Sequence, residues 1–106
     1  MGGFVKAQLP FLQLLASSTK AQATALLNTM TKGQMSAICE VLINIRYGNI
    51  PVSGKDKKKL HRKRELIRKL STKTTTQKVR RHLIKKEAPL IISILQTHLD
   101  FLKTQL

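Results

Sequence analysis

Nine lysines and arginines stand in the run Lys55-Asp56-Lys57-Lys58-Lys59-Leu60-His61-Arg62-Lys63-Arg64-Glu65-Leu66-Ile67-Arg68-Lys69. Continuing to residue 86 adds Lys73, Lys78, Arg80, Arg81, Lys85 and Lys86 and no acid. Residues 55–86 therefore carry fifteen basic against two acidic side chains, a net +13 of the chain's +15. Charge at this density repels itself, which makes sense where a polyanion is the normal partner. Nucleic-acid phosphates supply such charge, and each Lys or Arg that neutralises one releases condensed counterions without reading the bases. All fifteen cations are thus candidate nucleic-acid contacts. Lysine outnumbers arginine over residues 55–64, and residues 55–86 hold no Phe, Tyr or Trp. That composition disfavours base stacking of single strands and points to a duplex, DNA before RNA. The clusters Lys57-Lys58-Lys59 and Arg62-Lys63-Arg64 also suit nuclear import.

Other chemistry is sparse. The five acids, Glu40, Asp56, Glu65, Glu87 and Asp100, are dispersed, with no pair placed by spacing for acid–base work. His61, His82 and His98 with Cys39 show no metal-ligand spacing, so neither a metal nor a cofactor is expected. His61 and His82 are assigned to the cationic face, and His98 to the apolar stripe of the last helix or its edge. Cys39 is the only cysteine and reads as a small buried hydrophobe in a reducing compartment. There is no glycine-rich phosphate loop. An enzyme is not expected. Pro10 and Gln13 interrupt the first apolar run, unlike a secretory leader. Lys6 stands where an N-myristoylation motif at Gly2 wants Ser or Thr. No stretch reaches the roughly 18 apolar residues of a membrane span.

The elements that would position the basic run are helices. A chain of 106 residues with 42% apolar side chains is one domain able to bury a modest core. Thr19-Lys20-Ala21-Gln22 and Thr31-Lys32-Gly33-Gln34 are capping boxes, Thr74-Thr75-Thr76-Gln77 offers a third, and Ser53-Gly54-Lys55-Asp56 a looser fourth. Pro89 suits a first helical position. These starts predict an all-α bundle of five or six short helices near residues 5–16, 20–30, 32–47, 55–70, 77–86 and 89–105. In chain order, residues 1–50 are mostly apolar helices, 55–86 a basic helical segment and 88–106 an amphipathic helix. The third helix is apolar almost all round (Met35, Ile38, Leu42 and Ile45, widened by Cys39, Val41 and Ile43), which predicts the centre of the core. Gly48-Asn49 should end it with a left-handed cap, and Ile50-Pro51 prevents continuation. Leu60, Ile67 and Leu70, with Leu66 beside them, give the basic helix a narrow apolar seam. Val79, Leu83 and Ile84 are the inward candidates of the fifth segment. Ile91, Ile94, Leu95, Leu99 and Leu102 form the stripe of the last.

The order of pieces also resembles a known family. A Leu-Pro-Phe-Leu-Gln-Leu-Leu helix precedes Gln-Ala-Thr-Ala-Leu-Leu and then Ile38-Cys39-Glu40-Val41-Leu42-Ile43-Asn44-Ile45. Gly48-Asn49-Ile50-Pro51-Val52-Ser53 follows and leads into the Lys-rich helix and Leu66-Ile67-Arg68-Lys69-Leu70. Over residues 9–86 this is similar to short basic open reading frames of Polinton/Maverick elements and adintovirus-like, adenovirus-related DNA viruses. The resemblance implies a core protein on a packaged genome, located in the nucleus or the virion. Members often end in a Gly-Gly-Phe-Leu hydrophobic tail, whereas Glu87-Ala88-Pro89-Leu90 here opens an amphipathic helix. Two further readings stand beside DNA binding. One is a death-fold-like helical adaptor docking an acidic or viral protein partner; the other is attachment to an anionic membrane surface. The basic segments lack the large apolar face that inserts into lipid.

Overall fold

The computed structural model describes residues 3–48, 52–72 and 74–104, with Leu102 described in its backbone alone. All regular structure among these residues is helical: α1 (Gly3–Ala7), α2 (Leu9–Ala16), α3 (Lys20–Asn28), α4 (Lys32–Arg46), α5 (Gly54–Arg62), α6 (Arg64–Ser71), α7 (Gln77–Lys86) and α8 (Ala88–Thr104). The expected all-α class holds, but eight helices replace five or six because two segments are broken. Between α1 and α2 the cause is Pro10, which has no amide to donate to the carbonyl four residues back and whose ring crowds it. The chain turns at Gln8 (φ −108°, ψ 16°) and restarts with the proline in its first turn. The continuous basic helix expected over residues 55–70 is likewise two, broken at Lys63.

Helix starts follow local chemistry closely. Thr19 and Thr31 each accept a hydrogen bond from the third helical amide, of Gln22 and Gln34, while those glutamines accept from the threonine amides at 2.9 and 2.8 Å. Ser53 caps α5 by accepting from the Asp56 amide at 3.2 Å. The cap of α7 is Thr76, accepting from Val79, and not Thr74 as the Thr-x-x-Gln pattern suggested. Gln77 is then the first residue of α7, not the third, so no reciprocal box can form. Ala88 precedes Pro89 in α8, so the proline sits second. Beyond α4, Gly48 adopts φ +77° and donates to the Ile45 carbonyl, the left-handed ending that its lack of a β-carbon permits. Asn49, Ile50 and Pro51 lie outside the described residues.

α4 is the centre of the core. Met35, Ala37, Ile38, Cys39, Val41, Leu42 and Ile45 are all buried, and the helix packs against α1, α2, α6 and α7. α8 packs chiefly against α2, burying Ile91, Ile94 and Leu95. A Cα radius of gyration of 12.6 Å is that of a compact domain of this length. The seam of the basic region is buried as expected: Leu60, Ile67, Leu70 and Ile84 are at most 8% exposed. Val79 is not; at 44% exposure it points away from the core, as does Leu14 of α2 at 55%.

Leu42→Ala should lower unfolding free energy by about 2–5 kcal/mol in urea titrations, the usual range for emptying a buried leucine site. A change below about 0.5 kcal/mol would move the core away from α4. Cys39 gives a pH signature. Burial pushes its thiol from 9.0 up to about 11, partly offset by the nearby Arg80 charge. The folded state therefore keeps a proton that the unfolded chain releases. The resulting stability is complete below pH 9 and disappears as pH rises towards about 11. A Cys39→Ala chain should lose less stability than wild type across that interval.

Candidate nucleic-acid interface

The basic segment is anchored before it is displayed. The Ser53 cap fixes the start of α5, and Asp56 in its first turn reaches His98 of α8, with Oδ2 and Nε2 3.3 Å apart. Both side chains are largely buried, at 13% and 9% exposure. Local spacing cannot reveal a partner 42 residues away, although Asp56 was conspicuous as one of two acids in a strongly cationic stretch. Leu60 then inserts into the core and the chain breaks at Lys63. Lys63 donates to Glu87 at 3.1 Å, joining the α5–α6 corner to the α7–α8 corner. Arg64 donates to the His61 carbonyl at 2.9 Å, satisfying a backbone acceptor at the end of α5. Arg68 donates to Glu65 at 2.9 Å and holds that exposed carboxyl below its ordinary range, first through the hydrogen bond and then through its charge.

Of the fifteen sequence-predicted cations, Lys73 lies outside the described residues. Eleven of the other fourteen are exposed: Lys55, Lys57, Lys58, Arg62, Lys63, Arg64, Arg68, Lys69, Lys78, Lys85 and Lys86. Lys59, Arg80 and Arg81 are partly covered. Arg80 departs most from a solvated cation. Its Nη2 donates to the Thr72 carbonyl at 2.8 Å, bridging the turn between α6 and α7. Its Nε is buried without a partner, as is Oε1 of Glu40, and both residues line a cavity of about 280 Å³ beside Cys39. Arg81 makes a long 3.5 Å contact to the Asn28 carbonyl. His61 and His82 are exposed, whereas His98 belongs to the buried face of α8.

The cations gather in groups rather than as one stripe. Lys57, Lys58, His61 and Arg62 frame a shallow depression on α5. A deeper cleft of about 710 Å³ opens between the end of α4 and the α5–α6 corner, where Arg46 joins Lys57, His61 and Arg64 over Ile45, Leu60 and Ile67. Arg46 lies outside the basic run, and only its place in the last turn of α4 could have drawn attention to it. Lys20 likewise lines one groove of about 600 Å³ with Lys85 and Lys86, between α3 and the start of α8. It is therefore unsuitable as a neutral control for charge removal.

Comparisons with protein-family models, curated proteins and solved structures give no match. No helix among the described residues is long and apolar enough to cross a membrane. Among the same residues, no group of three or more His, Cys, Asp and Glu side chains is placed to hold a metal ion.

Removing the Asp56 carboxylate should strand His98 in a mostly buried site. Asp56→Ala should cost about 1–3 kcal/mol, the range for a buried polar group losing its partner. A double-mutant cycle with His98→Ala should return a coupling of at least about 0.5 kcal/mol. Additive effects would show that the two side chains do not support each other.

Proposed function

We propose that the protein binds double-stranded DNA without sequence preference and compacts it, as a small core or architectural protein. One observation carries this reading. Lys55, Lys57, Lys58, Arg62, Lys69, Lys78, Lys85 and Lys86 are exposed, and none of their side chains has a hydrogen bond or ion pair among the described residues. A fold that merely tolerated these charges would gain from pairing them, yet the chain has only five acids and the fold engages Asp56, Glu65 and Glu87 elsewhere in the region. Unpaired lysines on short helices suit phosphates arriving from outside. They offer charge without the fixed forks that read base edges. The likeness of residues 9–86 to basic frames of Polinton-type elements and adenovirus-related viruses supports the same role, with the nucleus or virion as the place of action.

The test is duplex binding against salt. Eight phosphate contacts correspond to a log–log slope of about −7, and six to ten to a loss of roughly a thousandfold to a hundred-thousandfold between 50 and 200 mM salt. Lys58→Ala and Arg62→Ala should each shallow the slope by about one, uniformly across duplex sequences. Lys63→Ala should shallow it less and also loosen the corner that Glu87 holds. Lys103→Ala, on the far end of α8 beside Asp100, should leave the slope unchanged. Sharp base preference with a flat salt response defeats the proposal. So does indifference to DNA at 50 mM salt.

A further inference from the structure

Tyr47 is the only tyrosine, and the chain has no tryptophan. At 71% exposure it is the most exposed large hydrophobic side chain of the described residues. It caps the C-terminus of α4 between Arg46 and Gly48, and both of those neighbours line the cleft that also holds Lys57, His61 and Arg64. The basic run itself has no aromatic residue; Tyr47 stands in the chain between two residues, Arg46 and Gly48, that line the cleft. An aromatic ring left in water beside a cationic cleft has the two parts that unpaired nucleotides require. Cations take the phosphates, and the ring face offers stacking that every base can use.

We infer that Tyr47 is a stacking platform for unpaired bases, and that the cleft beside it receives a single-stranded segment or a frayed duplex end. Arg46, Lys57 and Arg64 would hold the flanking phosphates. The cleft floor of Ile45, Leu60 and Ile67 is apolar and itself well buried, with Val52 half-buried beside it, so the exposed ring next to the cleft in the chain, Tyr47, is the candidate for stacking. This inference rests on the nucleic-acid reading above and adds a second substrate form to it. Duplex held by phosphate contacts alone would leave Tyr47 untouched. A strand with free bases would cover it.

The composition makes the experiment direct, because all tyrosine emission comes from Tyr47. A fluorescein-labelled dT12 strand and a 12-base-pair duplex are titrated separately with the intact chain at low salt. Anisotropy gives affinity; unlabelled strands, with absorbance corrected against free N-acetyltyrosinamide, give the emission change. At equal occupancy the single strand should quench Tyr47 emission and the duplex should not. Tyr47→Ala should weaken dT12 binding by roughly 5- to 150-fold, the range for losing one stacked base, with duplex affinity held within about twofold. Tyr47→Phe should keep most of the single-strand affinity. Circular dichroism of the variants reports folding. If both oligonucleotides bind and Tyr47→Ala leaves their affinity ratio unmoved, or Tyr47→Phe falls as far as Tyr47→Ala, the stacking role is overturned while duplex binding stands. If the wild-type chain binds neither, both readings fail together.

Discussion

Like-charge repulsion across residues 55–86 is the constraint around which this fold is arranged. Two unit charges 4 Å apart repel by about 1 kcal/mol even in bulk water, and screening at physiological salt extends over about 8 Å. Cations one turn apart, such as Lys55 and Lys58 on α5 or Arg64 and Arg68 on α6, have β-carbons about 5–6 Å apart, within that range. Against this stands a thin apolar seam of Leu60, Ile67, Leu70 and Ile84, all nearly inaccessible to solvent. Each such side chain contributes about 1.5–3 kcal/mol on burial. The seam holds the basic helices on α4, and the chain's few acids hold their ends: Asp56 at the start of α5, Glu87 at the corner beyond it.

The two corners are built alike. Lys63 and Glu87 share nearly the same backbone geometry, φ −104° and −102° with ψ 19° at both, each ending one helix one residue before the next begins. Their side chains meet at 3.1 Å. The lysine is 45% exposed and the glutamate 16%, so this is no isolated surface pair of negligible worth, nor a costly buried one. The basic helix is interrupted at Lys63, between α5 and α6. Leu60 and Ile67, on either side of the break, both reach the core. A straight helix would stack all nine cations of residues 55–69 along one rod.

Local chemistry wrote itself into the sequence where a short-range rule governs it. The Thr-x-x-Gln boxes of α3 and α4, the Ser53 cap, the left-handed Gly48 and the near all-round apolar surface of α4 each depend on residues within one or two turns. What was not legible depends on distance or on degeneracy. Thr74, Thr75 and Thr76 are equivalent as sequence, and only the packing of α7 selects Thr76. The expectation of one helix over residues 5–16 passed over Pro10, which breaks it, whereas Lys63 is an ordinary helix former whose side chain meets Glu87, 24 residues on. Val79 looked inward by residue type, yet Leu83 and Ile84 already supply the face that α7 turns to the core. In the candidate site, counting charge within a window found the cations but not their grouping. Arg46 and Lys20 join through tertiary structure, and Arg80 leaves the solvated set because it adds a second hydrogen bond to the Thr72 carbonyl, which also accepts from the Thr75 amide.

The end of α4 shows how core and surface are connected. Ile45 is buried and fixes the last turn of the central helix, Arg46 and Tyr47 follow it into solvent, and Gly48 takes the positive φ that closes the helix. Arg46 and Tyr47 thus stand on a rigid support set by the core, not on a free tail, with the α5–α6 corner opposite. A polyanion bound across that gap would bring phosphates between Arg46 on α4 and Lys57 and Arg64 on the basic helices. It would replace their mutual repulsion with shared attraction. Binding of this kind favours the folded chain by mass action, and it does so most where repulsion is strongest. The charges that weaken the free protein would then be the same groups that stabilise such a complex. Such binding would account for eight cationic side chains that have no hydrogen bond or ion pair among the described residues.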